Sequence, residues 1–471
     1  MHILYYSSNP VYTKGDQKSY NFVPCNGDQL LLFPPDLREW LPSDHLAWFV
    51  IDAVSQMDLS GFYDRYREDG KGNTAFDPTM MVTLFLFSYC MGERSSRRIE
   101  KLCAVDIAYR VITVNRIPDH STISRFRKDN IKQIEQLFVE VLRLCRAANM
   151  LKLGTVALDG TKMKGNASLE ANRTSEGLAS EVGKILQEAE VADAQEDALY
   201  GADRRGDELP EDLADPRSRI SRLRECKERL DRETQEARQA QQRKIDERKA
   251  YEEMGNKKRG RKPLSPEAVV DKEAKANVTD PDSRIMKTRS GFVQGYNAQA
   301  VATEDQIIIA ATVTQDENDV NQLLPMIDNA NTMLEGVEVE EPIKTLSADA
   351  GYFSETNVTG APSGGPDLFI ATKKDWKQRK EQATEESPKG RIPDDLTVKE
   401  RMDRKLLTET GKTIYAKRKT IIEPIFGQIK DAQGIRTFLM RGIAAVQAEW
   451  ELICASHNLR KLFRSGKCSF A

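Results

Sequence analysis

The sequence predicts an α/β sheet with an all-α region ahead of it and a long charged helical insertion after the first strand. Three observations carry that reading. From Leu30 to about Ala148 apolar residues recur at helical spacing. Short apolar and β-branched runs then alternate with helical stretches, at 153–165, 291–315, 343–348 and 368–372. Between the first run and the second, residues 168–289 give up apolar patterning for dense charge.

Residues 1–29 are polar, are punctuated by Pro10, Pro24 and Asn26-Gly27, and read as a flexible arm. The helical region starts at Phe33–Leu41, with Ser43-Asp44 as the cap of a following helix. Asp77-Pro78 opens the very apolar helix Thr79–Cys90, because an acceptor side chain followed by proline suits a helix start. Two further helices are expected at Ser95–Cys103 and Pro118–Lys128. In the second, Ile123 and Phe126 face a core while Ser121, Thr122, Ser124, Arg125, Arg127 and Lys128 turn outward. Residues 91–130 hold 9 basic against 5 acidic groups, which suits a recognition helix in a major groove. The same pattern describes a solvated basic helix, and the residues alone leave the two open.

Val156-Ala157-Leu158 forms the first strand and ends at Asp159. Strands follow at Gly291–Val301 and Gln306–Thr314, then a helix from Asp319 through Met333, then strands Ile343–Ala348 and Leu368–Thr372. Within the insertion, Arg217–Tyr251 reads as a long solvated helix in which Ile220, Leu223, Cys226 and Leu230 keep three-and-four spacing. Its end, Lys257-Lys258-Arg259-Gly260-Arg261-Lys262-Pro263, is either a basic linker or a strip narrow enough for an A·T-rich minor groove, with Arg259 and Arg261 flanking the glycine.

The net charge of −3 hides segregation: residues 171–215 carry 4 Lys and Arg against 13 Asp and Glu, a local −9, whereas 371–471 carry 22 against 13, a local +9. No apolar window is long enough to span a bilayer, and the first residues lack the marks of a secretory signal. The 7 cysteines are scattered and odd in number, as expected of reduced thiols in a cytoplasm. With only 4 histidines and none beside a partner in sequence, a zinc site or a serine–histidine triad has little support.

Three acids stand in settings suited to metal-assisted phosphodiester chemistry. Asp159 and Asp349 end apolar strands, and Glu423 lies in a helix dense in cations, flanked by Ile421, Ile422, Ile425 and Phe426. Hard carboxylate oxygens suit Mg²⁺, or Mn²⁺ in its place, and two such ions could flank the attacking and leaving oxygens of an in-line displacement. Alone, Asp159 and Asp349 read more readily as a turn start or a surface charge, whereas Glu423 is the sharper signal because a carboxylate amid apolar neighbours needs a partner or a metal.

The same residues carry a resemblance. Ala157–Lys162, Tyr296–Gln299, Ala348–Tyr352 and Tyr415–Lys430 with Phe438–Gly442 resemble the DDE-type transposases of bacterial insertion sequences, and the likeness extends to Trp450–Leu452, His457–Leu459 and the helical region around Leu30–Asn130. That family has a ribonuclease-H-like catalytic domain and a Tyr-x2-Arg-x3-Glu-x6-Lys signature. Tyr415-x2-Arg418 and Glu423-x6-Lys430 fit, but four residues separate Arg418 from Glu423, and Lys419 has the shorter spacing. The resemblance implies that Asp159, Asp349 and Glu423 bind metal, and that Tyr415, Arg418 or Lys419, and Lys430 contact the DNA end. It also implies element-end cleavage, strand transfer by the freed 3′-hydroxyl, double-stranded DNA as partner, at least a dimer on DNA, and a cytoplasmic, nucleoid-associated location. The expected organisation is then a flexible arm (1–29), an all-α DNA-binding domain (30–148), a catalytic domain (149–167 with 290–471) and a charged insertion (168–289). A catalytically inactive DNA-binding regulator and a stand-alone ribonuclease-H-like nuclease are the alternatives, and terminal inverted repeats beside the coding region would separate them from a transposase.

Overall fold

A computed structural model of the chain describes residues 39–66, 75–184, 187, 216–254, 261–268, 274–288, 290–373, 386–393 and 395–467. The expected arm, the proposed first helix up to residue 38, most of the acidic stretch and Arg259 lie outside the described residues.

Before the sheet the regular elements are helices: α1 (Leu46–Ser55), α2 (Ser60–Tyr63), α3 (Pro78–Cys90), α4 (Ser96–Val105), α5 (Ile107–Ile112), α6 (His120–Asp129) and α7 (Ile131–Ala147). Helix starts follow acceptor chemistry. Asp77, Asp106 and Asp119 each accept from the first free N–H groups of α3, α5 and α6. For α1 the cap is His45, whose Nδ1 accepts from the N–H of Ala47, and not Ser43 or Asp44. Helix α3 is apolar all round because it is buried all round, each of Leu84, Phe85 and Leu86 contributing about 1.5–3 kcal/mol by leaving water.

The six-stranded sheet comprises β1 (Thr155–Lys164), β4 (Arg284–Thr288), β5 (Gly291–Thr303), β6 (Ile308–Thr314), β7 (Thr345–Ala348) and β8 (Asp367–Ile370). Strand β1 is central: it pairs antiparallel with β5 on one side and parallel with β7 on the other, and β8 extends the parallel side. Strand β5 is long enough to pair with both β4 and β6. The sheet therefore takes in Arg284–Thr288, which the sequence pattern had left in the insertion.

The long insertion helix α8 (Pro216–Glu253) spans 38 residues, about 57 Å at 1.5 Å per residue. Its Leu223, Cys226 and Leu230 are buried. They pack with Leu178 and Ala276 into a small core of their own, against the paired strands β2 (Asn172–Thr174) and β3 (Lys275–Asn277). Sequence reading missed both strands because three residues carry no period. The described part of the basic strip runs back along α8, where Arg248 donates to the carbonyl of Arg261 and Gln241 to that of Leu264, each at 2.8 Å.

The remaining helices are α9 (Leu323–Gly336), α10 (Glu355–Thr359), α11 (Val398–Leu407), α12 (Glu409–Ile421), α13 (Glu423–Gly427) and α14 (Ile443–Ser465), with a π-helical turn at Gln428–Ala432 between the last two. Helix α14 is buried over most of its length, packing on α3, α7 and β6. One continuous apolar core thus runs from the N-terminal helices through α14 into the sheet. Cys90, Cys103, Cys145, Cys226 and Cys454 are buried. Among the described residues no helix is long and apolar enough to cross a membrane.

Candidate active site

The site forms where β1 and β7 part company. Their parallel register ends at Leu158 opposite Ala348, so Asp159 and Asp349 follow on neighbouring strands. Asp159 is not the end of its strand: β1 continues to Lys164 because β5 keeps pairing with it on the other side. Asp349 does leave its strand, in a turn where its Oδ1 accepts from the N–H of Gly351 at 2.7 Å. Asp159 Oδ1 accepts from the N–H of Gly160 at 2.9 Å.

Arg418, on α12, joins the third acid to the first. Its Nη1 donates to Asp159 Oδ2 at 2.9 Å and its Nη2 to Glu423 Oε1 at 3.0 Å. The guanidinium is buried while Glu423 is half exposed, so this carboxylate is not enclosed by the isoleucines beside it in sequence. The helix breaks at Ile422, and Glu423 begins the short α13 with Pro424 next to it. That break carries Ile421, Ile422 and Ile425 into the core and leaves Glu423 at a helix start, where a negative charge is favoured.

Burial pushes the Asp159 carboxyl up to about 6, with Asp349 adding to the shift and Arg418 opposing it. Two neighbouring carboxylates and one guanidinium leave the site short of positive charge. Among the described residues no three acidic, histidine or cysteine side chains already converge as metal ligands, since Arg418 lies between Asp159 and Glu423.

The other cations expected here divide. Lys430, in the π-helical turn, reaches β1: its Nζ donates to the Thr161 hydroxyl and, at 3.1 Å, to the carbonyl of Lys162. Burial lowers its pKa, and the nearby Arg436 adds to that. The turn is held in place because the following residues run beside β1, Phe438 donating to the carbonyl of Lys164 at 2.8 Å. Lys419 is exposed on the outer side of α12. Of the two candidates for the signature's cation, Arg418 is therefore the one at the acids. The Tyr415 ring lies 6.0 Å from the Arg418 guanidinium, and its hydroxyl is shielded from solvent with no hydrogen-bond partner among the described residues.

On α6, Ser121, Arg125 and Lys128 are exposed and Thr122 partly so, but the Ser121 and Thr122 hydroxyls bond Asp119, their own helix cap. Arg127 departs from its expected outward position. It is buried, donates to the carbonyl of Arg94 at 2.8 Å, and lies over the Phe85 and Tyr89 rings at 5.3 and 5.8 Å. Its long stem and planar head fill a gap between α6 and α3 that an outward arginine would leave open. Arg261 is exposed beside α8.

One acid of the site was read only as a helix start. Asp319 does not cap its helical turn; it turns toward β5 and β1, where its Oδ1 accepts from Asn297 at 2.6 Å, Gln299 at 2.8 Å and Lys162 at 3.4 Å. The available signal was the run Asp316-Glu317-Asn318-Asp319 directly after a strand.

Comparison with known proteins adds two matches. Residues 377–463 match the family model described as transposase DDE domain, and residues 35–129 match transposase domain (DUF772). The first takes in Tyr415, Arg418, Glu423 and Lys430; the second takes in α1 to α6. No curated protein and no solved structure matches the chain. With a transposase domain matched towards each end, the chain is a DNA transposase of the DDE type.

Proposed function

We propose that this transposase binds the inverted-repeat ends of an insertion sequence, cleaves them, and joins the freed 3′-hydroxyl to target DNA, working as a dimer or larger assembly on DNA. Asp159, Asp349 and Glu423 are the catalytic acids of this reading, and together they hold two Mg²⁺ ions, or Mn²⁺. The observation that carries it is the Arg418 guanidinium, which spans from Asp159 to Glu423 beside Asp349 and marks the gap between the acids as a place for positive charge. The donor set is carboxylate oxygen throughout, the hard ligand that Mg²⁺ prefers. When bound, such ions screen the phosphate, lower the pKa of water and stabilise the leaving oxygen.

The chain's own residues do the rest. Lys430 lies over β1 two residues beyond Asp159 and can turn its ammonium to a phosphate; Arg418 and Tyr415 line the same approach, while Lys419, exposed on the outer side of α12, would meet the DNA backbone away from the acids. Ser121, Thr122, Arg125 and Lys128 on α6 supply end recognition, and Arg259 and Arg261 a minor-groove contact. Arg127 supports α6 from within. The strand order β6-β5-β1-β7-β8 supports a ribonuclease-H-like catalytic domain built from 149–167 and 290–471, with 30–148 as an all-α DNA-binding domain and 168–289 as an insertion.

Incubating the full chain with a labelled duplex that carries the inverted repeat, in Mg²⁺, Mn²⁺ or chelator, tests this. Cleavage at the repeat end that requires the metal and is absent in chelator is expected; metal-independent cleavage would refute the assignment.

A further inference from the structure

We infer that Asp319 is a positioning residue for the reaction, acting through Gln299 and Tyr352 to hold the turn that presents Asp349; this rests on the proposed role of Asp349. Gln299 and Asn297 are adjacent outlets of β5 on one face, both fully buried, and both give their amide N–H groups to Asp319 Oδ1. A carboxylate can only accept, so it fixes which way the Gln299 amide points. The NH₂ group faces Asp319, and the carbonyl oxygen is left for the Tyr352 hydroxyl, which donates to it. Tyr352 in turn closes the loop after β7: its N–H donates to the Asp349 carbonyl at 3.2 Å, while the N–H of Gly351 holds Asp349 Oδ1. Asp319 is therefore linked to the Asp349 turn by hydrogen bonds through Gln299 to the Tyr352 hydroxyl, and then by the Tyr352 side chain and backbone.

The two glycines beside the catalytic aspartates are explained by the same network. A Cβ on Gly160 would lie 2.2 Å from Gln299 Nε2 and 2.9 Å from Asp319 Oδ1. A Cβ on Gly351 would lie 2.9 Å from Asp349 Oδ1 and 3.4 Å from Asp319 Oδ2. Both positions leave room for Asp319 to approach, and Asp319 Oδ2 faces the Asp349 turn instead of a donor among the described residues.

The test compares Asp319→Ala, Asp319→Asn, Tyr352→Phe and the Asp319→Ala/Tyr352→Phe double variant of the full chain. Two quantities are read: cleavage of the labelled end at saturating Mg²⁺, and the affinity for Mn²⁺ alone by electron paramagnetic resonance. Asp319→Ala and Tyr352→Phe should each lower cleavage and Mn²⁺ affinity about 10- to 100-fold, the usual cost of losing an orienting partner. The double variant should be no worse than either single one, because both break one path. Asp319→Asn should recover most of the loss, since its amide oxygen can accept the same two bonds. Should Asp319→Ala not fold, Tyr352→Phe and Asp319→Asn keep the test, because both preserve side-chain volume. Wild-type Mn²⁺ affinity in Tyr352→Phe, multiplying losses in the double variant, or equal damage from Asp319→Asn and Asp319→Ala would overturn the inference. Asp159→Asn is run alongside: if it too cleaves and binds Mn²⁺ normally, the metal-site reading falls as well, whereas its failure beside a normal Tyr352→Phe removes the inference alone.

Discussion

The two sides of the sheet bury polar groups in opposite ways. At the parting of β1 and β7 the polar groups are charged: Arg418 pairs with Asp159 and Glu423, Lys162 pairs with Asp319, and Asp349 stands beside Asp159. At the β6 edge they are neutral amides in matched pairs. Asn458 of α14 accepts from the N–H of Ile308 at 2.9 Å and donates to its carbonyl at 2.8 Å, and Gln447 treats the N–H of Val313 and the carbonyl of Ala311 the same way. Two side chains thus complete a strand edge that would otherwise be open to pairing with another chain. Satisfied neutral groups contribute stability, whereas carboxylates held together with too few cations retain an attraction for an external one.

Substitutions on the charged side should cost function and little stability. Asp159→Asn, Asp349→Asn or Glu423→Gln is expected to lower metal-dependent end cleavage by about 10³-fold or more. Binding of the same labelled end, followed by gel shift, should persist. Near-normal cleavage by any one of them would remove that residue from the site.

On the neutral side the order reverses. Asn458→Ala leaves a buried N–H and C=O of Ile308 unpaired and should cost about 1–3 kcal/mol in denaturant unfolding, with Mn²⁺ affinity unchanged. A drop in Mn²⁺ affinity without a loss of stability would mean that the two sides are not separate.

Arg125 and Arg127 repeat the contrast within one helix. Arg127→Ala should lower the melting temperature because its hydrogen bond to Arg94 and its contacts with Phe85 and Tyr89 are internal. Arg125→Ala should leave stability within about 0.5 kcal/mol and weaken binding to the specific end more than to random duplex. Equal loss on both duplexes would leave Arg125 with phosphate contacts only.

A pH dependence is expected at Glu451, on the stable side. Burial pushes this carboxyl up to about 8, opposed by its bond to Gln447 and aided by Glu135. A raised acid holds its proton in the folded chain when the unfolded chain has released it. Its contribution is therefore complete below the ordinary glutamate range and is lost as pH rises to about 8. Glu451→Gln should gain melting temperature relative to the parent between pH 5 and pH 8.5, and a constant difference across that range would show that Glu451 does not titrate there.

Much of this contrast was legible in the residues, for physical reasons that differ by element. The strands at Val156, Ile308 and Leu346 announced themselves because buried strands are short, apolar and β-branched. Asp77 announced a helix start because capping is local chemistry. Asp159, Asp349 and Glu423 could be picked out from their settings, but the agent that joins two of them, Arg418, was ambiguous with Lys419 until the helix break at Ile422 set its direction. Asp319 was passed over because its partners, Asn297 and Gln299, lie about twenty residues away on another strand. Arg127 was misread for the opposite reason: helical spacing assigns a face, but a long side chain can fold back under it. Strands β2 and β3 left no pattern because their pairing is fixed by the small core around Leu178 and Leu223.

The most direct measurement is a titration of the full chain with Mn²⁺ at pH 7.5, in parallel with Asp159→Asn and Glu423→Gln. The parent should bind the ion and both variants should lose that binding while melting as cooperatively as the parent. Undiminished binding in both variants would contradict the gathering of these carboxylates into one cation site.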